Sequence, residues 1–383
     1  MVKRIYLDNS ATTPVAPEVV EAMMPYFSGE YGNASSLHSF GQAARQAVEN
    51  SREEIAATLE ASPSEIVFTA GATEANNLAI KGLSFAHPEK RHIITSKIEH
   101  HAVIHTCGWL EEQGYDVTYL DVDSSGWIDP AAVREAIRED TLLASIMAGN
   151  NEVGTLEPIE EIGAICREKG IFFHTDAVQA YGKVPLSMET IDLLSVSAHK
   201  LHGPKGVGFL YMRKGVPFIP LLHGGGHERG RRSGTENVPG IVGMATAARL
   251  AFQEMETTAA RLGDYRERLI AGISSIPGIR LNGHETKYLP HITNFGFQGI
   301  EGESLVMRLD EQGIATSTGS ACSSPDLEPS HVLLAIGVPL AMAHGSLRIS
   351  TGRQTTDDEI DAILEVLPRI VEDLRAISPF KVG

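Results

Sequence analysis

The sequence predicts an α/β protein, a larger domain on a mostly parallel mixed sheet followed by a smaller α+β C-terminal domain. Three observations carry that expectation. Short β-branched runs alternate with helical patterns of about 10–15 residues, the spacing of βαβ units around a parallel sheet. Composition changes after the Gly/Arg-rich segment 224–237, where long Ala-, Leu-, Arg- and Glu-rich helical stretches begin. A chain of 383 residues also exceeds what one small core organises. The expected division is a large domain over 1–255 and a small one over 256–383, with the first dozen residues able to pack with either.

The elements follow in order. Ile5-Tyr-Leu7 begins as a strand, and a helix follows over 17–26. A Gly/Asn/Ser loop from Tyr31 to His38 leads into a long helix over 42–59. Strands are expected at 66–69, 91–95, 116–120, 142–147 and 171–174, with helices at 73–82, 101–113, 130–138 and 158–169. Strand-like runs at 192–197 and 206–212 flank a Gly/Pro-rich turn. One or two long helices over 239–272, strands at 291–297 and 345–350, and a helix over 357–377 complete the chain. No internal repeat is visible.

Composition narrows the function. A net charge of −17 argues against nucleic-acid or anionic-membrane partners, which need a basic surface. No apolar run approaches the length of a membrane span, and Met1-Val-Lys-Arg-Ile-Tyr-Leu-Asp8 lacks a signal-peptide core. The three cysteines, Cys107, Cys166 and Cys322, are widely spaced without any C-x-x-C pattern. Neither a disulfide framework nor a zinc site is expected, and a reducing cytoplasm fits.

Two strand ends carry the chemistry. Lys200 follows the run Asp192-Leu-Leu-Ser-Val-Ser197 and precedes the Gly/Pro-rich turn. A lysine at the end of a buried strand loses proton affinity by desolvation, which frees its amine to attack a carbonyl. Asp176 ends Ile171-Phe-Phe-His-Thr-Asp176 and is placed to protonate a pyridine nitrogen. An imine-forming lysine with an acidic pyridinium partner is how proteins hold pyridoxal 5′-phosphate. Phe68-Thr-Ala-Gly-Ala-Thr73 reads as a strand, a small-residue turn and a helix start, whose free N–H groups suit a phosphate. Taken alone, Thr73 reads better as an N-cap with Asn76 or Asn77 on a polar face. The turn is neither a Walker loop nor a G-x-G-x-x-G fingerprint, so nucleotide binding has little support.

The motifs span almost the whole chain. They run Tyr6-Leu-Asp-Asn-Ser-Ala-Thr-Thr-Pro14, Gly32-Asn-Ala-Ser-Ser-Leu-His38, Gly71-Ala-Thr-Glu-Ala-Asn-Asn77, Glu99-His-His-Ala102 and Asn150-Asn-Glu-Val-Gly154. They continue with His174-Thr-Asp-Ala-Val-Gln179, Ser197-Ala-His-Lys200, Arg229-Gly-Arg-Arg-Ser-Gly-Thr-Glu-Asn237, Thr318-Gly-Ser-Ala-Cys-Ser-Ser324 and Ser346-Leu-Arg-Ile-Ser350. In type and order this set resembles the NifS/IscS cysteine desulfurases. Those are pyridoxal-phosphate enzymes of the class V aminotransferase group, with a fold-type I architecture. Two departures stand out: Ala34 where many relatives have proline, and His227 where glutamine is frequent.

The resemblance implies residue roles. Lys200 would form the imine with the cofactor and Asp176 would meet its pyridine nitrogen. His100 would stack on the ring and shuttle protons. Without the resemblance, His100 and His101 are an ordinary pair at a helix start, or half a metal site that nothing nearby completes, so no metal is expected. Ala72, Thr73, Ser197 and His199 are implied at the phosphate, Gln179 at the ring oxygen and Asn151 at substrate or cofactor. Asn33 and Arg348 are implied at the substrate, Arg348 clamping its carboxylate with a forked guanidinium. Its plainer reading is a surface arginine on an edge strand. Thr235 is implied to reach the phosphate of the other subunit of a homodimer. By itself, the arginine cluster at 229–232 reads as a solvated basic loop.

Cys322 selects the reaction. A lone cysteine is more often a small buried hydrophobe than a nucleophile, but the Gly- and Ser-rich setting of Cys322 offers few apolar partners. Cys107 and Cys166 lie on helical patterns among apolar residues and read as structural. The resemblance implies that Lys200 moves the α-proton of bound L-cysteine and that Cys322 takes its sulfur as a persulfide. Alanine then leaves, and the sulfur passes to an acceptor protein such as an iron–sulfur scaffold. Attack needs a thiolate, and His100 is the expected base. The rival reading is a selenocysteine lyase. A non-catalytic pyridoxal-phosphate-binding protein is more distant, since the chain has both Lys200 and Cys322.

Overall fold

A computed structural model of the chain describes residues 4–319 and 329–379. Strand β1 (Ile5–Tyr6) is followed by β2 (Ile66–Thr69), β3 (His92–Ser96), β4 (Asp116–Leu120), β5 (Thr141–Ser145), β6 (Phe172–Asp176), β7 (Leu193–Ser197) and β8 (Gly208–Met212). Strands β2 to β8 form one seven-stranded sheet in the order β2-β8-β7-β6-β5-β3-β4. All pairings are parallel except those of β8, which runs antiparallel to both β2 and β7. This is the mostly parallel mixed sheet that the alternating pattern predicts.

Helices cover both faces, which is why β5, β7 and β8 are buried at every position instead of alternating with polar residues. The pleat sorts neighbours to opposite layers. Ile93, Leu143 and Leu193 pack with Leu78, Leu83 and Val103 from the helices Ala72–Ala86 and His101–Glu112. Ile94, Ala144 and Leu194 pack on the other side with Val48, Ile55, Ile162 and Met244. The helix expected over 17–26 is broken into Pro17–Met23 and Pro25–Ser28, because Pro25 has no N–H to continue the ladder. The helical stretch at 239–272 divides at Glu254 into Val238–Gln253 and Met255–Ile273.

A second apolar core lies further along the chain. Strands β9 (Ile279–Asn282), β10 (Ile292–Phe297) and β12 (Ser346–Ser350) make an antiparallel sheet with β10 in the middle, and β11 (Ile314–Ala315) pairs in parallel with β1. Phe295, Leu305, Leu347 and Leu367 fill this core, together with Ile5 and Leu7 from the N-terminal segment. Its last helix, Asp357–Ile377, starts with a capping box in which Thr356 and Glu359 satisfy each other's backbone N–H groups. The N-terminal segment therefore crosses from one core to the other. On its way it passes the C-terminal ends of β6 and β7, where an open α/β sheet places its ligands.

Candidate active site

A cavity of about 800 Å³ opens at those strand ends. Ala72, Thr73, His100, Asn151, Asp176, Gln179, Ser197, His199, Lys200 and Arg348 all line it, so most of the site residues expected from sequence converge on one space. Lys200 ends the single turn Ala198–Lys200 that follows β7. Its Nζ donates to the carbonyl of Ser10, and to that of Ala11 at 2.8 Å. Asp176, at the end of β6, is buried, and each of its oxygens accepts one bond. Asn76 Nδ2 donates to Oδ2 at 2.7 Å and the Val178 N–H to Oδ1 at 3.0 Å.

His100 caps the helix His101–Glu112, its Nδ1 accepting the Ala102 N–H at 3.1 Å. Because Nδ1 accepts, the neutral ring carries its proton on Nε2. Burial holds its pKa below the ordinary value, Asp176 opposing and Lys200 adding to the effect. In that tautomer the Nε2–H is the edge left for a partner. His199 is likewise held down to about 4 by burial and by the cations of Lys200, Lys205 and Lys183. Its Nδ1 lies 3.1 Å from Thr12 Oγ1.

The wall expected to hold a phosphate is built on close backbone approach. Gly71 caps the helix Ala72–Ala86 at φ 151°, a region open mainly to glycine, and no side chain caps the first turn. Thr73 is therefore inside the helix and not its N-cap, and the first-turn N–H groups lack intrahelical acceptors. A Cβ on Gly208 would stand 2.4 Å from the Val196 carbonyl oxygen and 2.9 Å from Gly71 Cα, so only glycine lets β8 pass the turn. Glu74 fixes the turn by accepting the Ala70 N–H and the Arg232 Nε–H, both at 2.8 Å. The arginines at 229–232 are thus not simply a solvated loop: Arg232 is paired with Glu74 and Arg231 donates to the Ser64 carbonyl.

The opposite wall carries Arg348, buried near the middle of β12 and not exposed on an edge. Its Nη1 donates to the Asn151 carbonyl and its Nη2 to Asp8 Oδ1, both at 2.9 Å, while its buried Nε–H has no partner among the described residues. Gln179 donates from Nε2 to the Ser10 carbonyl at 3.0 Å, and its Oε1 lies 3.2 Å from His291 Nε2. Sequence reasoning missed Asp8, Asn76, Lys205 and the two carbonyls that hold Lys200. Only Asn76 carried a signal, a polar residue amid Ala75, Leu78 and Ala79 on the buried helix face.

Three expected residues are not in this space. Asn33 is exposed, its Oδ1 accepting the Ser35 N–H at 2.9 Å within its own loop. Thr235 is exposed and lines a separate cavity of about 130 Å³ beside Thr69 and Gly206. Cys322 lies outside the described residues. The described cysteines, Cys107 and Cys166, are buried, and burial pushes both thiols up to about 12. Among the described residues, no helix is long and apolar enough to cross a membrane, and no group of three or more His, Cys, Asp or Glu is disposed to hold a metal ion.

Sheet, lysine, acid and glycine turn together define an α/β protein whose cavity at the strand ends is lined by a lysine and a buried carboxylate. Residues 5–363 match the family described as Aminotransferase class-V, and the chain belongs to that family. It is 55% identical over 380 residues to the cysteine desulfurase IscS of Methanosarcina thermophila, covering 98% of this chain and 94% of that protein. Among solved structures, a NifS-like protein superposes with a TM-score of 0.92 at 42% identity, covering 97% of this chain and all of that one. A structure of SspA in complex with cysteine superposes with a TM-score of 0.81 at 42% identity, covering 91% of this chain and 98% of its own.

Proposed function

We propose that this chain is a pyridoxal-phosphate-dependent cysteine desulfurase that converts L-cysteine to L-alanine and moves the sulfur to Cys322. One observation supports it most: Lys200, Asp176 and Arg348 line a single cavity. The residues present fit the cofactor. Lys200 would hold its aldehyde carbon and Asp176 its ring nitrogen. The helix start at Ala72 and Thr73, with Ser197 and His199, would hold its phosphate. When bound, the cofactor supplies an electron sink for charge at the substrate α-carbon.

The chain's own residues do the rest. Arg348 orients the amino acid through its carboxylate: Asn151 and Asp8 take two of its five N–H donors, and the others remain for the substrate. The Ser10 and Ala11 carbonyls keep the Lys200 amine beside the site, where it takes and returns the α-proton. His100 donates from Nε2. Cys322 attacks the substrate sulfur; its S–H becomes an S–SH persulfide as the C–S bond breaks, and the carbon skeleton leaves as alanine.

The same reading extends outward. Two apolar cores support two domains, 1–255 and 256–383, with the first residues packed on the second core. The chain works as a homodimer, Thr235 of one copy reaching the phosphate held by the other. Exposed Phe27, Tyr31, Leu37 and Phe40 are apolar surface that such an assembly would cover. Unpaired Cys107 and Cys166 suit a reducing cytoplasm, and the sulfur goes on to an acceptor protein such as an iron–sulfur scaffold. The test is to supply L-cysteine, pyridoxal phosphate and dithiothreitol, and to measure alanine and sulfide. Lys200→Ala should abolish both and lose the borohydride-fixed cofactor. Cys322→Ala should abolish sulfide release from cysteine. Sulfide release that survives both substitutions would sink the assignment, and selenide release without Cys322 would point to selenocysteine as the substrate.

A further inference from the structure

We propose that Asp8 is the positioning residue of Arg348: it anchors the guanidinium at the cavity wall so that its remaining N–H donors meet the substrate carboxylate, and its charge keeps that grip weak enough for alanine to leave. The proposal rests on reading Arg348 as the carboxylate clamp.

The geometry makes Asp8 a fixed counter-charge. Asp8 forms a bridge with Ser350, two positions from Arg348 on β12. Its carbonyl accepts from Tyr6 Oη and from the Ala11 N–H, both at 3.1 Å, so the backbone beneath the carboxylate is pinned on both sides. A guanidinium has five donors in a rigid fork. In Arg348 one end is tied to Asp8 and the other to the Asn151 carbonyl, each at 2.9 Å, which prevents the plane from turning. Three of the five donors are thus left without a partner among the described residues, on a side chain that lines the cavity, and such donors need an oxygen. Asp8 does not line the cavity, so it touches neither substrate nor cofactor and acts only through Arg348.

Charge sharing is the second half. The Arg348 side chain is 3% exposed, and a cation buried so deeply needs a counter-ion whenever the cavity is empty. When an amino acid enters, two carboxylates divide one guanidinium. Substrate and alanine carry the same carboxylate, so a guanidinium without Asp8 would hold the product longer.

Steady-state kinetics of the holoenzyme with L-cysteine, and competitive inhibition by L-alanine, separate the parts. Asp8→Ala frees the fork, and KM should rise about tenfold, the loss expected for one misaligned charge-assisted contact, while kcat stays within about threefold. Asp8→Asn keeps an oxygen acceptor at Nη2 but removes the charge, so KM should stay at or below the parent value and alanine should inhibit several-fold more tightly. A parent-like KM in Asp8→Ala, or unchanged alanine inhibition in Asp8→Asn, overturns the proposal. If Asp8→Ala does not fold, the alanine result decides alone. Arg348→Lys is the control for the underlying reading: a KM unchanged there removes the clamp itself, a failure distinct from that of Asp8.

Discussion

Truncating Glu228 should unseat the strand that carries the phosphate turn. Its two oxygens accept Arg52 Nη1 and Nη2, each at 2.7 Å, and Oε2 also accepts the Phe68 N–H at 2.9 Å. Arg52 donates on to the Ile66 carbonyl at 2.9 Å and stacks 4.7 Å from the Phe68 ring centre. Exposure is 3% for Arg52 and 8% for Glu228, so the pair is dry on both sides. Arg52 Nε also meets the partly exposed Glu49 at 3.2 Å, but losing Glu228 takes the carboxylate from both Nη groups of a buried cation, at about 3 kcal/mol. Glu228→Ala should therefore lower stability by about that amount. It should also weaken pyridoxal-phosphate binding, because β2 ends at Thr69, two residues before Gly71. Urea midpoints followed by circular dichroism, with a cofactor titration of each variant, test both effects. The double variant Arg52→Met/Glu228→Leu removes both charges and should cost less than Glu228→Ala alone. A single variant costing under about 1 kcal/mol, or a double variant as costly as the two singles added, would refute the buried-pair argument.

Asp176→Asn keeps the shape and the bond accepted from the Val178 N–H, turns the acceptor facing Asn76 into a donor, and removes the charge. Turnover should fall about 10²-fold or more with little change in stability, and turnover within tenfold of the parent would count against a role at the ring nitrogen. Gly208→Ala drives a methyl group to 2.4 Å from the Val196 oxygen. It should cost about 1–3 kcal/mol and loosen the cofactor, both readable from thermal melts with and without pyridoxal phosphate. Glu99, fully buried, is pushed by burial up to about 8 against the opposing bonds from Met147 and Ser96. The folded state keeps a proton that the unfolded chain releases above about 4.3, so stability is full in acid and declines as pH rises towards 8. Glu99→Gln should flatten that decline, and urea midpoints between pH 5 and pH 9, read against about 1.4 kcal/mol per pH unit, would show it. An unchanged slope would mean that Glu99 is ionised in the fold.

The large sheet was legible because its strands are apolar runs separated by turn residues. Lys200 and Asp176 were readable as the polar ends of two such runs. Strand β11 was not: two residues, Ile314 and Ala315, become a strand only because β1 pairs with them across the length of the chain. Pro25 shows the same limit locally, since an apolar pattern can run through a proline that the backbone cannot follow. Most side chains named from the sequence line one cavity, and those that hold them in place were mostly not legible. Asn76 lies a hundred positions from Asp176, and Asp8 lies 340 from Arg348. Spacing carries no trace of such pairs: the packing of the helix Ala72–Ala86 on β6 makes the first, and the crossing of the N-terminal segment makes the second.

That crossing limits how the protein can be handled. Ser10 and Ala11 occupy the reactive amine, Asp8 occupies the buried guanidinium, and β1 completes a pairing with β11. Trimming back to the first helix, Pro17–Met23, would strip acceptors from two cations and open the second core in a single cut. Affinity handles and fusion partners therefore need a spacer ahead of Ile5, and a protease nick between Leu7 and Thr13 should inactivate the enzyme while leaving nearly all of its mass intact.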